Sequence, residues 1–415
     1  MSGTDNRFLI VGGGLAGLAC AGCLSAAGAE PLILEGADAV GGRVRTDVVK
    51  GFLLDRGFQV FLDAYPEAGA VLDKQRLDLR PFKPGALVFA QGRLRRVMDV
   101  FREPRYLLGS ALAPVGSLAD KLRVALLKWR LSRTSIDEIA SHDDVTTEVY
   151  LQRLGFSPRM IDGFFRSFYG GIFLERDLRT SSRMFEFTFK MFSQGSATLP
   201  ARGMGDIPRQ LAALLPEGTI RLSEKVAEVR AGQVVLESGE CLTGRAVVLA
   251  TDASTASKLM PGLGLAKLDW RSITSLYFAA PRSPLHEAII ALNGSGAGLV
   301  NNVCVPSDVA PSYAPKGQSL ISISVLGLPE TAGLTSRVVA ELESWFGKEV
   351  HEWRHLRTEQ IERALPEQAP GVGMSGPGFR EHDGVFVCGD HQWSASIEGA
   401  IISGKRTAEA IFKQL

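Results

Sequence analysis

Gly12, Gly14 and Gly17 stand at G-x-G-x-x-G spacing directly behind the apolar run "RFLIV". Residues so placed can hold a phosphate on backbone amides. Gly12 permits a tight turn, Gly14 lets the main chain approach a pyrophosphate, and Gly17 lets the next helix lie close on the strand. That helix opens at Leu15 and Ala16, and it aims its unpaired N–H groups and the positive end of its dipole at the phosphates. A second apolar run, "PLILE", ends in Glu35 and is followed by Gly36; a carboxylate there can accept hydrogen bonds from ribose hydroxyls. Strand, glycine turn, helix and terminal acid together predict a dinucleotide site. The pair Gly41 and Gly42 brings a second stretch of backbone to the cofactor, and Arg43 can offset phosphate charge. "DRGFQVF" adds Asp55, Gly57, Phe58 and Gln59.

The continuation from Glu35, E-x-x-x-x-x-GGR, resembles the flavin-dependent amine oxidase superfamily, which includes monoamine oxidases, protoporphyrinogen oxidase and the phytoene desaturases. The resemblance implies FAD as cofactor. It also implies further contacts: Val226 by the adenine, Ala250 and Thr251 of "VLATD" near the flavin, and Gly389 and Asp390 on the phosphate and ribityl chain. Ser396, Ile397, Glu398 and Ala400 open the last helix beside the isoalloxazine. The amides at that helix start would stabilise negative charge on the reduced ring.

These stretches lie far apart in the chain. The expected fold is therefore α/β, a Rossmann-type FAD-binding domain with an inserted α+β substrate domain. The cofactor domain is expected from residues 1–79, 202–262 and 372–415, and the substrate domain from 80–201 and 263–371. Within the insertion, "DKLRVALLKWRL" puts Leu122, Ala125, Leu126 and Trp129 on one helical face.

The substrate must be read from the pocket. Monoamine oxidases carry a tyrosine in W-S-G-Y-M-E-G-A; the stretch from Trp393 to Ala400 reads W-S-A-S-I-E-G-A, so Ser396 replaces the aromatic, and no cysteine stands in "LPEQAPGVG" to bond the flavin. Both departures weigh against an amine. Phe164–Leu174 and Met184–Phe192 hold eight phenylalanines, which suits an apolar tunnel for an isoprenoid or a porphyrinogen. Arg166, Tyr169 and Trp393 are the polar pocket candidates, and no catalytic residue is singled out. The expected activity is removal of hydride from an apolar unsaturated substrate to the flavin. The alternatives are an amine oxidase with a non-standard cage and a non-catalytic flavin-retaining lipid-binding or assembly protein.

Bulk properties are those of a folded protein and not of a disordered one. Of 415 residues, 45% are hydrophobic and 22% charged, and mean hydropathy is +0.08. A net charge of +1 predicts no nucleic-acid partner. The charge is uneven, however: Lys74 to Arg133 hold fourteen Lys and Arg against four Asp and Glu, interleaved with apolar runs such as "YLLGSALAPVGSL". That pattern reads as solvated helix faces or as a surface that meets anionic lipid or an acidic substrate, and peripheral membrane contact through 74–133 is the expectation carried forward. No apolar run is long enough to span a bilayer. The strand pattern starts by Phe8, leaving no room for a signal or transit peptide, and the five scattered cysteines suit a reducing compartment; a cytoplasmic protein peripheral to the membrane is expected. "HEWRH" (His351 to His355) has zinc-site spacing, but no third ligand is singled out and no metal is expected. The sequence names no electron acceptor.

Overall fold

The run "RFLIV" folds as β1 (Arg7–Val11), and its alternation feeds two cores at once. Phe8 and Ile10 pack against the helix that follows, while Leu9 and Val11 pack on a small antiparallel sheet behind it. A strand buried on both faces needs apolar residues throughout, which is why the run shows no polar alternation. The computed structural model describes residues 7–99, 102–103, 116–263, 268–374 and 376–414.

Along the chain, β1 is followed by α1 (Leu15–Ala26), β2 (Glu30–Glu35), β3 (Gly85–Ala90) and β4 (Arg93–Met98). Helices α2 (Leu118–Arg133), α3 (Arg166–Phe173) and α4 (Ser182–Gln194) come next, then β5 (Ile220–Leu222) and β6 (Ala246–Leu249). β7 (Trp270–Ala280), β8 (Ile290–Asn293), β9 (Val300–Cys304) and β10 (Ser319–Leu326) precede α5 (Leu334–Phe346), β11 (Arg354–Pro366), β12 (Arg380–His382), β13 (Val385–Val387) and α6 (Ile397–Gln414).

Two large sheets organise these elements. The first is six-stranded, in the order β5-β2-β1-β6-β13-β12, parallel throughout except for the β12–β13 hairpin. Its strands come from three separated stretches of chain. α1 and α6 lie side by side on one face; Gly404 permits this approach, since a Cβ there would stand 2.1 Å from the Ala16 carbonyl oxygen. The second sheet is seven-stranded, in the order β11-β7-β10-β9-β8-β3-β4. On one face, Leu276, Phe278, Ile321 and Ile323 meet Val338 and Leu342 of α5. The other face, which carries Ser275, Tyr277, Ser322 and Ser324, turns toward the Asp55–Gly57 turn and is also buried.

The helical segment forms as the spacing predicts: Leu122, Ala125, Leu126 and Trp129 share one face of α2, and that face points outward, with Leu122, Leu126 and Trp129 62%, 57% and 60% exposed. The buried side carries Leu127 and Leu131 instead. The rotation is set at the helix start. Ser117 and Asp120 form a capping box, and the fully buried Asp120 carboxylate also accepts from the Ser157 amide and hydroxyl, at 2.8 and 2.7 Å. Of "YLLGSALAPVGSL", residues 106–115 lie outside the described residues. Among the described residues, no helix is long and apolar enough to cross a membrane.

Candidate functional site

The β1–α1 turn is shaped by contact. Gly12 sits at φ +109°, with Ala250 O only 2.9 Å from where a Cβ would be. A Cβ on Gly17 would stand 2.1 Å from Gly12 O, so this glycine serves helix packing and does not reach the cavity wall. Gly14 is different: nothing lies within 4 Å of an added Cβ, because the space above it is the cleft. Glu35, at the end of β2, accepts from Gly13 N at 2.6 Å and Ala37 N at 2.8 Å. Each oxygen keeps a lone pair for a further donor.

Gly41, Gly42 and Arg43 form the next side of the cleft, where a Cβ on Gly42 would stand 3.6 Å from Gly14 Cα. Arg43 departs from its expected role. Its guanidinium donates to Asp390 at 2.6 Å and to Ala364 O at 3.1 Å, so its charge is already balanced by a carboxylate. Gln59 Nε2 donates to the carbonyls of Arg43 and Arg56, both at 2.9 Å, and fixes the Gly57–Phe58 turn against the same wall. Val226, Ala250, Thr251 and Gly389 line the cleft with Gly36, Leu15 and Ala16. The start of α6 completes it: Ser396 caps the helix by accepting from Gly399 N at 2.9 Å, and Ser396, Ile397 and Ala400 face the cavity.

Glu398 does not join them. It is fully buried and points away, accepting from the amides of Glu67 and Ala68 at 2.8 Å each. It caps the helix Pro66–Val71; a helix turn separates inward from outward side chains, so residues 397 and 400 face the cleft while 398 does not. Trp393 is likewise off the wall, buried under the Arg406 guanidinium at 4.1 Å. Arg166 is committed to Glu148, Asp162 and Arg176 O on the outer side of α3. Tyr169 is the one polar candidate that reaches the cavity. It is packed among Phe165, Phe168, Phe173 and Phe185, and burial drives its pKa well up, so the phenol stays neutral.

The cleft opens without a break into a chamber walled by α3 and α4. Phe164, Phe165, Phe168, Ile172, Met184, Phe189 and Phe192 line it, with Met160 and Leu292. Cleft and chamber form one cavity of about 1410 Å³. Small-ligand sites usually span about 300–1,000 Å³, so there is room for a dinucleotide and a second molecule. Cavity, open glycine cradle, ribose-height carboxylate and two helix N-termini fit FAD. Bound there, it would rest its pyrophosphate on Gly12–Gly14 and its ring beside Ile397, and it would supply a two-electron hydride acceptor.

Several wall residues had no local signal. Arg271 lines the cavity, paired with Glu367 and 3.5 Å from the buried Glu175. Glu359 and Asn302 line the cavity from β11 and β9. They come together only through the register of the second sheet. The H-E-x-x-H spacing does not fall on one helix: His351 lies in the short turn Lys348–Glu352 and meets Glu343, while His355 lies in β11 and meets Thr358.

Comparison with known proteins agrees with this geometry. A family model described as flavin containing amine oxidoreductase matches residues 15–412. A 15-cis-phytoene desaturase from an Oncidium hybrid cultivar is 21% identical over 459 residues, covering 98% of this chain and 77% of that protein. A coproporphyrinogen III oxidase from Mycobacterium tuberculosis is 27% identical over 289 residues, covering 63% of this chain and 62% of its own. An oxidoreductase from Methanosarcina mazei has a similar fold, with a TM-score of 0.74 at 16% identity, covering 98% of this chain and 100% of that one.

Proposed function

The chain belongs to the flavin-containing amine oxidoreductase family and is an FAD-dependent oxidoreductase; from that premise we propose that it takes hydride from an apolar, unsaturated substrate of isoprenoid or porphyrinogen type. The observation that carries this reading is the aromatic chamber continuous with the cofactor cleft. Phe164, Phe168 and Phe192 stack edge and face along its wall, and this offers a flat or extended hydrocarbon dispersion contact on several sides. The aromatic side of the chamber keeps water off a bound hydrocarbon, which strengthens the electrostatic effect of the α6 N-terminus on the acceptor ring. We assign the cofactor to residues 1–79, 202–262 and 372–415 and the substrate to the rest.

The reading includes where the substrate comes from. α2 forms the rim of the chamber: Leu118, Lys121, Val124 and Lys128 line the cavity, while the adjoining outer stripe bears Leu122, Leu126 and Trp129. The helix holds five Lys and Arg and a single acid, the buried Asp120. A bilayer with anionic headgroups matches both features, and an apolar substrate dissolved there would enter beside the helix.

The test is anaerobic. The yellow protein is mixed with polyenes, porphyrinogens and a panel of primary and secondary amines, and flavin absorbance is followed. Bleaching by a polyene or porphyrinogen, with amines inert, is expected. Bleaching by amines alone would transfer the assignment to amine oxidation, and a flavin that no member of the panel reduces would leave a non-catalytic role.

A further inference from the structure

The inward face of the second sheet is polar and yet buried. Register aligns part of it into a row: Glu359 of β11 stands opposite Ser275 of β7, Ser275 opposite Ser324 of β10, and Ser324 opposite Asn302 of β9. Directly paired residues point to the same face, so four side chains stand abreast on four neighbouring strands. Three interstrand steps of about 4.8 Å make the row ~14 Å long. Ser275, Ser324 and Asn302 are 0%, 1% and 3% exposed. Each of the four carries a buried atom (Glu359 Oε2, Ser275 Oγ, Ser324 Oγ, Asn302 Nδ2) with no hydrogen-bond partner among the described residues.

Buried polar groups are nearly always hydrogen-bonded, so four unpartnered ones in register call for a shared partner. Paired Cβ atoms stand about 5 Å apart, and since none of these four polar atoms finds a partner, the gaps suit one bridging water each. The ends of the row also matter. At one end, Glu359 lies on the cavity wall beside the cofactor turn, where a Cβ on Gly57 would be 3.9 Å from Ser275 Oγ. At the other, Asn302 lines the chamber beneath Gly171 of α3. The row thus joins the substrate end of the cavity to the flavin end.

We propose that this row holds a chain of ordered waters that carries the proton released by the substrate to the Glu359 carboxylate. The inference rests on the hydride-removal reading above. Forming a double bond breaks two bonds to hydrogen. One hydrogen leaves as hydride with its electron pair, taken by the flavin. The other leaves as a proton, and its bonding pair becomes the new π bond. That proton needs an acceptor; the α3 and α4 walls are aromatic, and Glu367 is already paired with Arg271, whereas Glu359 keeps an oxygen with no hydrogen-bond partner among the described residues. Burial raises the Glu359 pKa; Arg357 on the same strand and Arg56 on the facing turn pull it down, and Asp47 on the neighbouring hairpin pushes it up again. The net rise makes Glu359 a better proton acceptor than an exposed glutamate.

The test joins crystallography of the FAD-loaded protein to kinetics of Glu359→Gln and Ser324→Ala. Electron density for a water between each neighbouring pair of the row is expected. So is an infrared carboxyl band that titrates above the ordinary glutamate range and vanishes in Glu359→Gln. In anaerobic single turnovers, Glu359→Gln should slow flavin reduction at least tenfold and flatten its pH profile, and Ser324→Ala should slow it less and keep the profile. A dry row closed by direct side-chain hydrogen bonds would overturn the proposal, as would a Glu359→Gln enzyme with wild-type rate and pH profile. If no polyene or porphyrinogen reduces the flavin, the substrate reading falls; the density and the carboxyl band then decide the row by themselves.

Discussion

The Tyr313 hydroxyl donates to the Asp55 carboxylate at 2.8 Å, across the seam between the cofactor turn and the inserted half of the chain. The Tyr277 hydroxyl, from β7, donates to the Asp55 carbonyl. Thr46 and the Met204 amide also donate to the carboxylate, so one buried acid ties four segments together. Burial raises its pKa from 3.8 to about 6, despite the hydrogen bonds that oppose the rise.

The sign of the pH effect follows. The folded state holds a proton on Asp55 that the unfolded chain releases near pH 4, so the native state binds more protons in that window, and stability from this group falls as pH rises from about 4 to about 6. A shift of about two units corresponds to ~3 kcal/mol. Asp55→Asn keeps the shape and removes the titration; its amide can donate to the Tyr313 oxygen. Urea unfolding at a series of pH values should show the variant gaining on the wild type across this window, to within the same ~3 kcal/mol. Parallel curves would remove Asp55 as the cause.

Gly14 and Gly17 belong to one motif, and their substitutions should have opposite effects. Gly14 is extended, at φ −73°, and an added Cβ meets nothing. Gly14→Ala should fold with a melting point close to wild type and yet retain flavin at least tenfold less well, because the methyl group occupies space over the cradle. Gly17→Ala drives a Cβ to 2.1 Å from a backbone oxygen and should lose several kcal/mol or fail to fold. Circular dichroism melts beside flavin fluorescence separate the two effects. Equal melting losses in both variants would mean that Gly14 too is a packing residue.

The first βαβ unit was legible because its determinants are local: the glycine spacing, the helix start and Glu35 lie within 24 residues of one another. The chamber was legible as phenylalanine density. Direction was not. The spacing of Leu122, Leu126 and Trp129 fixes a shared face, but which way that face turns depends on Asp120 meeting Ser157, 37 residues downstream. Glu398 misled for a similar reason, since the amides that claim it are 330 and 331 residues away. The row from Glu359 to Asn302 depends on register among four strands, which no short stretch of sequence encodes.

Glu398 should behave as a structural cap and not as a flavin ligand. Glu398→Ala strands the amides of Glu67 and Ala68, one of them in a buried pair, at a cost of about 2–4 kcal/mol in unfolding free energy. Per folded molecule, FAD affinity and the visible spectrum should stay within about twofold of wild type, and Glu398→Gln should recover part of the stability. A shifted flavin spectrum at unchanged stability would return this residue to the cofactor.

The outer stripe of α2 is the surface most easily separated from the fold. Exposed apolar side chains contribute little to native packing, so Leu122→Ser, Leu126→Ser and Trp129→Ser combined should shift unfolding by no more than about 1–2 kcal/mol. Binding to vesicles is another matter, because each of these side chains contributes about 1.5–3 kcal/mol when it leaves water for the acyl boundary. Flotation with vesicles containing phosphatidylserine should therefore capture the wild type and lose the triple variant by at least tenfold. Salt should weaken the wild-type binding, since each Lys or Arg near an anionic surface adds about 1 kcal/mol that ions screen. Leu127→Ser, on the buried side of the same helix, serves as the opposite control: it should destabilise the protein while leaving vesicle binding of the remaining folded fraction intact. If the triple variant floats like the wild type, or if its only change is from dimer to monomer in sedimentation, the stripe meets something other than lipid and the proposed route of entry fails.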